Sequence, residues 1–178
     1  MRRIILTGAP GAGKTALLRR LEIGGYGVVE EAATDVIALE QARGIDEPWK
    51  DERFTDTILH LQRQREWQAG LLPASIVFSD RSPICTYALA LVLGHRPSGA
   101  LETEIARIVR AKPYEQRVML LEHLGHIAPT PARRINYEDA MKFERVHIET
   151  YQRFGFDLVR IPKGDVDERF RFVIASVG

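Results

Sequence analysis

An α/β fold with a parallel sheet covered by helices is what this sequence predicts, and three observations carry it. Apolar strand candidates alternate with amphipathic helix candidates from end to end, the pattern of parallel strands joined by helical crossovers. A glycine-rich segment links the first strand candidate directly to the first helix candidate. The 178 residues, 45% apolar and 28% charged, are enough for one core, so a single domain over residues 1–178 is expected.

The first strand is Arg3–Thr7, which runs into the glycines, and a helix follows from Lys14 to about Leu21. Gly24 and Gly25 break the chain before a short strand, Gly27–Glu30. Residues Ala32–Ala42 repeat with helical period, and Gly44 is a plausible stop. Ile45–Lys50 reads as a loop. A long polar helix then runs from about Asp51 to Ala69, with Phe54, Ile58, Leu61 and Arg65 along one face. Ser75–Ser79 is the next strand and leads into Asp80-Arg81-Ser82-Pro83, where Pro83 suits the first turn of an apolar helix, Ile84–Leu93. Leu101–Val109 is amphipathic and Arg117–Leu121 is a buried strand. Glu122–Asn136 holds two prolines, two histidines and paired arginines without periodicity; it reads as a mobile, lid-like segment around 122–137. A helix from about Glu138 to Phe154 stops at Gly155, Asp157–Ile161 is the last strand, and Pro162-Lys163-Gly164 turns into a final helix, Asp165–Ser176.

Bulk properties narrow the function. A net charge of +1 supplies no field to recruit nucleic acid or anionic lipid, so neither is an expected partner. The four strand-like residues after Arg2-Arg3 are too few for a signal peptide, and no run approaches the roughly 18 apolar residues of a membrane span. A cytoplasmic location is expected. The lone Cys85 excludes an internal disulfide and a multi-thiolate zinc site, and reads as a small apolar residue.

Anion binding must therefore be local, and one segment is built for it. Gly8-Ala9-Pro10-Gly11-Ala12-Gly13-Lys14-Thr15 fits the pattern G-x-x-x-x-G-K-[ST] between a strand and a helix. Its glycines let successive backbone N–H groups curl around a phosphate where a β-carbon would collide. The helix that starts here aims its positive dipole end at the same anion. Lys14 is placed to neutralise the β- and γ-phosphates of a nucleoside triphosphate, and the Thr15 hydroxyl to bind Mg²⁺. With glycine near 7% of residues, chance yields this pattern in roughly one such chain in two hundred.

Other residues are weighed against duller roles. Asp80, at a strand end, suits Mg²⁺, although Asp80 or Ser82 would also cap the next helix. Arg81 suits charge on a transferring phosphoryl group, with an ion pair as the alternative. Glu30 and Glu31 end the second strand, facing the crevice where open α/β sheets bind ligands; either can accept a proton from an attacking hydroxyl, or simply begin a helix. Arg133 and Arg134 are candidates to close over phosphates. Trp49 and Arg63-Gln64 are weaker candidates to line an acceptor pocket. His123 and His126 lack the neighbours a metal site needs.

With these residues assembled, the chain resembles the AAA-labelled, P-loop predicted-ATPase family that includes the ribosylnicotinamide kinase domain of NAD regulators, and more distantly nucleoside and nucleotide kinases. The resemblance rests on Gly8–Thr15, Val28–Ala32, Pro48-Trp49-Lys50-Asp51, Arg63-Gln64, Asp80-Arg81 and the late segment Phe143–His147. It implies a three-layer α/β/α P-loop NTPase fold with a five-stranded parallel sheet in the order 2-3-1-4-5. It also implies that a strand-two glutamate and Asp80-Arg81 face substrate, that the Arg133-Arg134 segment is the lid, and that Pro162 and Lys163 approach the base. Ser82-Pro83 stands where many relatives have glycine, and Pro129 and Pro131 stiffen the lid.

The combined expectation is an ATP- and Mg²⁺-dependent phosphotransferase acting on a small hydroxyl-bearing, nucleoside-like acceptor. No Asn-Lys-x-Asp is present, which favours ATP over GTP. The rival expectation is a nucleotide-dependent switch or slow NTPase that acts through a protein partner.

Overall fold

The computed structural model describes residues 1–124 and 137–178. Five strands form one sheet in the order β2-β3-β1-β4-β5, and every pairing is parallel. In chain order the elements are β1 (Arg2–Thr7), α1 (Lys14–Ile23), β2 (Gly27–Val29), α2 (Ala32–Ala42), a 3₁₀ turn (Pro48–Lys50), α3 (Phe54–Ala69), β3 (Ile76–Asp80), α4 (Pro83–Val92), α5 (Gly99–Ala111), β4 (Arg117–Leu121), α6 (Tyr137–Arg153), β5 (Asp157–Ile161) and α7 (Val166–Val177). Class and strand order are those expected. The clearest local difference lies before α3. Helical pattern was read from Asp51, but the Pro48–Lys50 turn intervenes, and Asp51 spends its carboxylate on the Arg53 backbone and guanidinium.

Both faces of the central strand are buried, as alternating side chains in a covered parallel sheet must be. Ile4 and Leu6 of β1 pack on one side with Leu17, Leu18 and Leu21 of α1 and with Val173 and Val177 of α7. Ile5 points the other way, towards Ile84 and Cys85 of α4, Ile105 and Ile108 of α5, and Tyr151 of α6. The buried Tyr151 hydroxyl is satisfied there, 2.8 Å from Ser82 Oγ and 3.1 Å from Cys85 Sγ, as a phenol inside a core requires. Leu6 is level with Asp80 across β1 and β3, so the carboxyl ends of those strands open together, at the place where sheet order reverses and α/β ligands bind. No described helix is long and apolar enough to cross a membrane.

One charged cluster lies away from that opening. Glu104 of α5 is buried and takes three bonds from Arg107, while Glu66 of α3 reaches the same guanidinium at 3.6 Å and has one buried oxygen with no bond among the described residues. Burial pushes the Glu66 carboxyl up to about 7, with Glu104 adding to the shift and Arg107 opposing it. Its folded value is therefore raised: the associated stability is full below the ordinary carboxylate range and is lost as pH rises through about 7. Glu66→Gln is expected to stabilise the fold at pH 8 and to do little at pH 5, measured by denaturant unfolding. Equal gains at both pH values would contradict this account.

Candidate functional site

The glycine loop is seated hard against the sheet. Gly8 has φ +138°, and a β-carbon there would lie 2.6 Å from the Leu121 carbonyl oxygen at the end of β4, so both conformation and space demand glycine. Ala12 N–H closes a turn on the Ala9 carbonyl at 3.1 Å, and Lys14 Nζ donates to the Gly8 and Ala9 carbonyls at 3.2 and 3.1 Å. The amides of Gly11, Gly13, Lys14 and Thr15 bond to no described residue, and Gly13 begins α1 with no side-chain cap. These free donors at an open helix start are available to an anion, as the pattern leads one to expect.

Two side chains from the far end of the chain hold the loop. Glu144 of α6 accepts the Ala9 N–H at 2.9 Å. Arg169 of α7, almost fully buried, donates to the carbonyls of Ala12, of Pro162 (3.1 Å) and of Glu122 (2.9 Å). Neither residue carried a sequence signal beyond Glu144 lying in the Phe143–His147 segment.

Beside the loop, four charged groups converge. Arg81 follows β3 with φ +73°, a left-handed conformation uncommon for a non-glycine residue; its N–H is held by the Leu6 carbonyl at 3.0 Å. Its Nε donates to Glu31 Oε1, its guanidinium carbon lies 5.1 Å from the Phe143 ring centre, and its buried Nη1 has no partner. Burial alone would raise the Glu31 pKa, yet the charges of Arg81 and Lys14 and a bond from Thr34 outweigh it and hold the value at about 2. Asp80 has the opposite outcome: burial, reinforced by Glu31, carries it to about 6 against Lys14 and Arg81. Lys14 itself is lowered by burial and then by Arg81. His147 is stacked on Phe143 at 3.9 Å with Nδ1 2.7 Å from the Phe143 carbonyl; burial and then Arg81 lower it to about 3, so it stays neutral.

Lys14, Thr15, Glu31, Asp80 and Arg81 all line one cavity of about 770 Å³. Part of its lining is apolar: Ile37 of α2, Trp49, Phe54 and Ile58 of α3, Leu89 of α4 and Leu93 just beyond it. Gln62 joins that wall and accepts from Thr86 at 2.8 Å. The weaker candidates for this wall separate. Trp49 lines the cavity, but Arg63 and Gln64 are exposed and Arg63 lies 3.9 Å from Glu104; Phe54, Ile58 and Gln62 are spaced by four and share the inward face, which turns the next two residues outward.

The two strand-two glutamates also separate. Glu31 sits in the cavity, while Glu30 is exposed and paired with Arg19. Pro162 and Lys163 line a smaller cavity of about 420 Å³ with Arg169 and Phe172, not the large one. Arg133, Arg134 and His126 lie outside the described residues. Among the described residues no cluster of three or more His, Cys, Asp or Glu is arranged for a metal, but Mg²⁺ at a phosphate site needs few protein ligands. The unbonded, buried Asp80 Oδ1 and the exposed Thr15 on the same cavity fit that demand.

Comparison with known proteins bears on this arrangement. A family model described as AAA domain matches residues 3–169. Among curated proteins there is no significant match. Among solved structures, deoxyadenosine kinase from M. mycoides with bound dATP is similar with a TM-score of 0.60 and 16% identity over 98% of each chain. NadR protein in complex with NR is similar with a TM-score of 0.69 and 21% identity, covering 99% of this chain and 48% of that one, so this chain spans about half of NadR. At such identities the likeness is one of fold. The match over most of the length, together with the seated glycine loop and the 2-3-1-4-5 sheet, places the chain in the AAA-domain family of P-loop proteins, with a nucleoside-kinase-like fold.

Proposed function

We propose that this protein is an ATP-dependent, Mg²⁺-requiring phosphotransferase whose acceptor is a small, hydroxyl-bearing, nucleoside-like molecule. The observation that carries the reading is the shared cavity, whose lining brings together the glycine loop, Glu31, Asp80 and Arg81 with the apolar side chains of Ile37, Trp49, Phe54 and Ile58. A nucleoside-like body suits a chamber of Trp49, Phe54, Ile58 and Leu89 with an amide, Gln62, on its wall. Support also comes from the ligands named for the solved relatives, dATP for deoxyadenosine kinase and NR for NadR.

The roles follow from the charges. The amides of Gly11, Gly13, Lys14 and Thr15 and the Lys14 ammonium bind the polyphosphate, and Arg81 lies beside it with its Nη1 uncommitted among the described residues. Thr15 and Asp80 would hold Mg²⁺, which supplies charge neutralisation on the phosphates. Glu31, held ionised, is a hydrogen-bond acceptor that orients the acceptor hydroxyl. Its low pKa makes it a weak base, which suits a loose phosphoryl transfer in which positioning and electrostatics supply most of the rate. Arg133 and Arg134 are proposed as phosphate-side groups, and Pro162-Lys163 as a neighbour of the base.

ATP consumption is expected to rise many-fold when the right acceptor is added from a panel of nucleosides and vitamin alcohols. Turnover that ignores the whole panel and responds to a protein partner would replace this reading with that of a nucleotide switch.

A further inference from the structure

Both peptides of Ala9 are bonded. Its carbonyl takes the Lys14 ammonium at 3.1 Å and the Ala12 N–H at 3.1 Å, and its own N–H points outward to Glu144 Oε2 at 2.9 Å. That N–H shares its peptide plane with the Gly8 carbonyl, which takes the Lys14 ammonium at 3.2 Å and Arg81 Nη2 at 3.4 Å, so the orientation of the Gly8–Ala9 plane bears on where the ammonium rests. Nothing in the sheet holds it: β1 ends at Thr7 and α1 begins at Lys14. The hold comes from Glu144 of α6, whose neighbour Phe143 lies under the Arg81 guanidinium.

We infer that Glu144 is a positioning residue for nucleotide binding, fixing the Gly8–Ala9 peptide so that the cradle is formed before the triphosphate arrives. A carboxylate accepting a backbone N–H makes a charge-assisted bond. It takes an amide outside the free set of Gly11, Gly13, Lys14 and Thr15, so it braces the cradle without occupying it. A group that stood in for phosphate would need one of those four. The inference rests on the proposed triphosphate site but not on phosphoryl transfer.

The test is nucleotide binding and amide exchange in the full chain. Glu144→Ala removes the acceptor; Glu144→Gln keeps an acceptor oxygen and removes the charge. Calorimetry with a Mg²⁺–non-hydrolysable ATP analogue, without any phosphoryl acceptor, is expected to show about a tenfold loss for Glu144→Ala, since one lost bond to a charged group is of that size. Glu144→Gln is expected to stay within about threefold of the parent, a bond between neutral groups being only modestly weaker. By NMR, the Ala9 amide is expected to exchange with solvent fastest in Glu144→Ala, while the amides of β1 keep their protection in all three proteins. Unchanged affinity in Glu144→Ala overturns the inference, as does equal loss in both variants. Tighter binding in either variant overturns it in the other direction, by showing that the carboxylate competes with phosphate. If the parent chain binds the analogue but phosphorylates no acceptor, only the phosphotransferase reading falls. A parent chain that binds no nucleotide ends both.

Discussion

Lys14→Ala is expected to weaken binding of a Mg²⁺–ATP analogue by roughly a hundredfold or more, about 3 kcal/mol for the loss of a buried ammonium's bonds to charged oxygens. The ammonium is buried and rests on two loop carbonyls. Burial there and the nearby Arg81 already disfavour its charge, so a polyanion gives it partners far stronger than those carbonyls. Lys14→Met, which keeps most of the apolar stem, is expected to lose as much affinity and less stability. Calorimetry with all three proteins is the measurement, and unchanged affinity in Lys14→Ala would remove the phosphate cradle from this loop.

Arg81→Ala is expected to reduce kcat by roughly a thousandfold, the scale for an arginine that stabilises charge on a transferring phosphoryl group. It also strips Glu31 of its ion-pair partner. Because Glu31 is partly solvated, the structural cost is about 2 kcal/mol, below that of breaking a fully buried pair. Burial acts to raise the Glu31 pKa and Arg81 is the largest influence that lowers it. Without Arg81 the acidic limb of the rate profile is therefore expected to move to higher pH. The left-handed backbone supplies a control: Arg81→Gly is expected to lose the same activity while regaining about 1 kcal/mol that a side chain at φ +73° costs. Lys in this position keeps charge but not the fork that reaches Glu31 and Gly8 together. A variant series with kcat near the parent value would assign Arg81 to structure alone.

What could be read in advance divides along physical lines. Strand and helix periods are local, so β4, β5 and α2 carry the bounds the pattern implies, and the glycine loop needed only its own eight residues. Glu30 and Glu31 were inseparable because the choice turns on one residue of strand length: β2 stops at Val29, one residue sooner than the pattern suggests, and Glu31 becomes the residue that opens α2 and meets Arg81. Gln62 was legible in principle, four residues beyond Ile58, but a polar residue on an apolar stripe reads as surface until its partner is known, and Thr86 lies on another helix. Glu144 and Arg169 act on backbone groups more than a hundred residues away, and no periodicity encodes such a bond.

Arg169 has one more implication. It is sunk behind the loop, bonded to three carbonyls and, among the described residues, in ion-pair contact with no carboxylate. Glu122 acts on its charge without a direct ion pair, and the bond to the Ala12 carbonyl brings that charge to the back of the loop. Such a rear electrode favours any tail of negative charge, whichever ring is attached to it. In the proposed nucleotide site, discrimination between one ring and another would be exercised by other parts of the molecule.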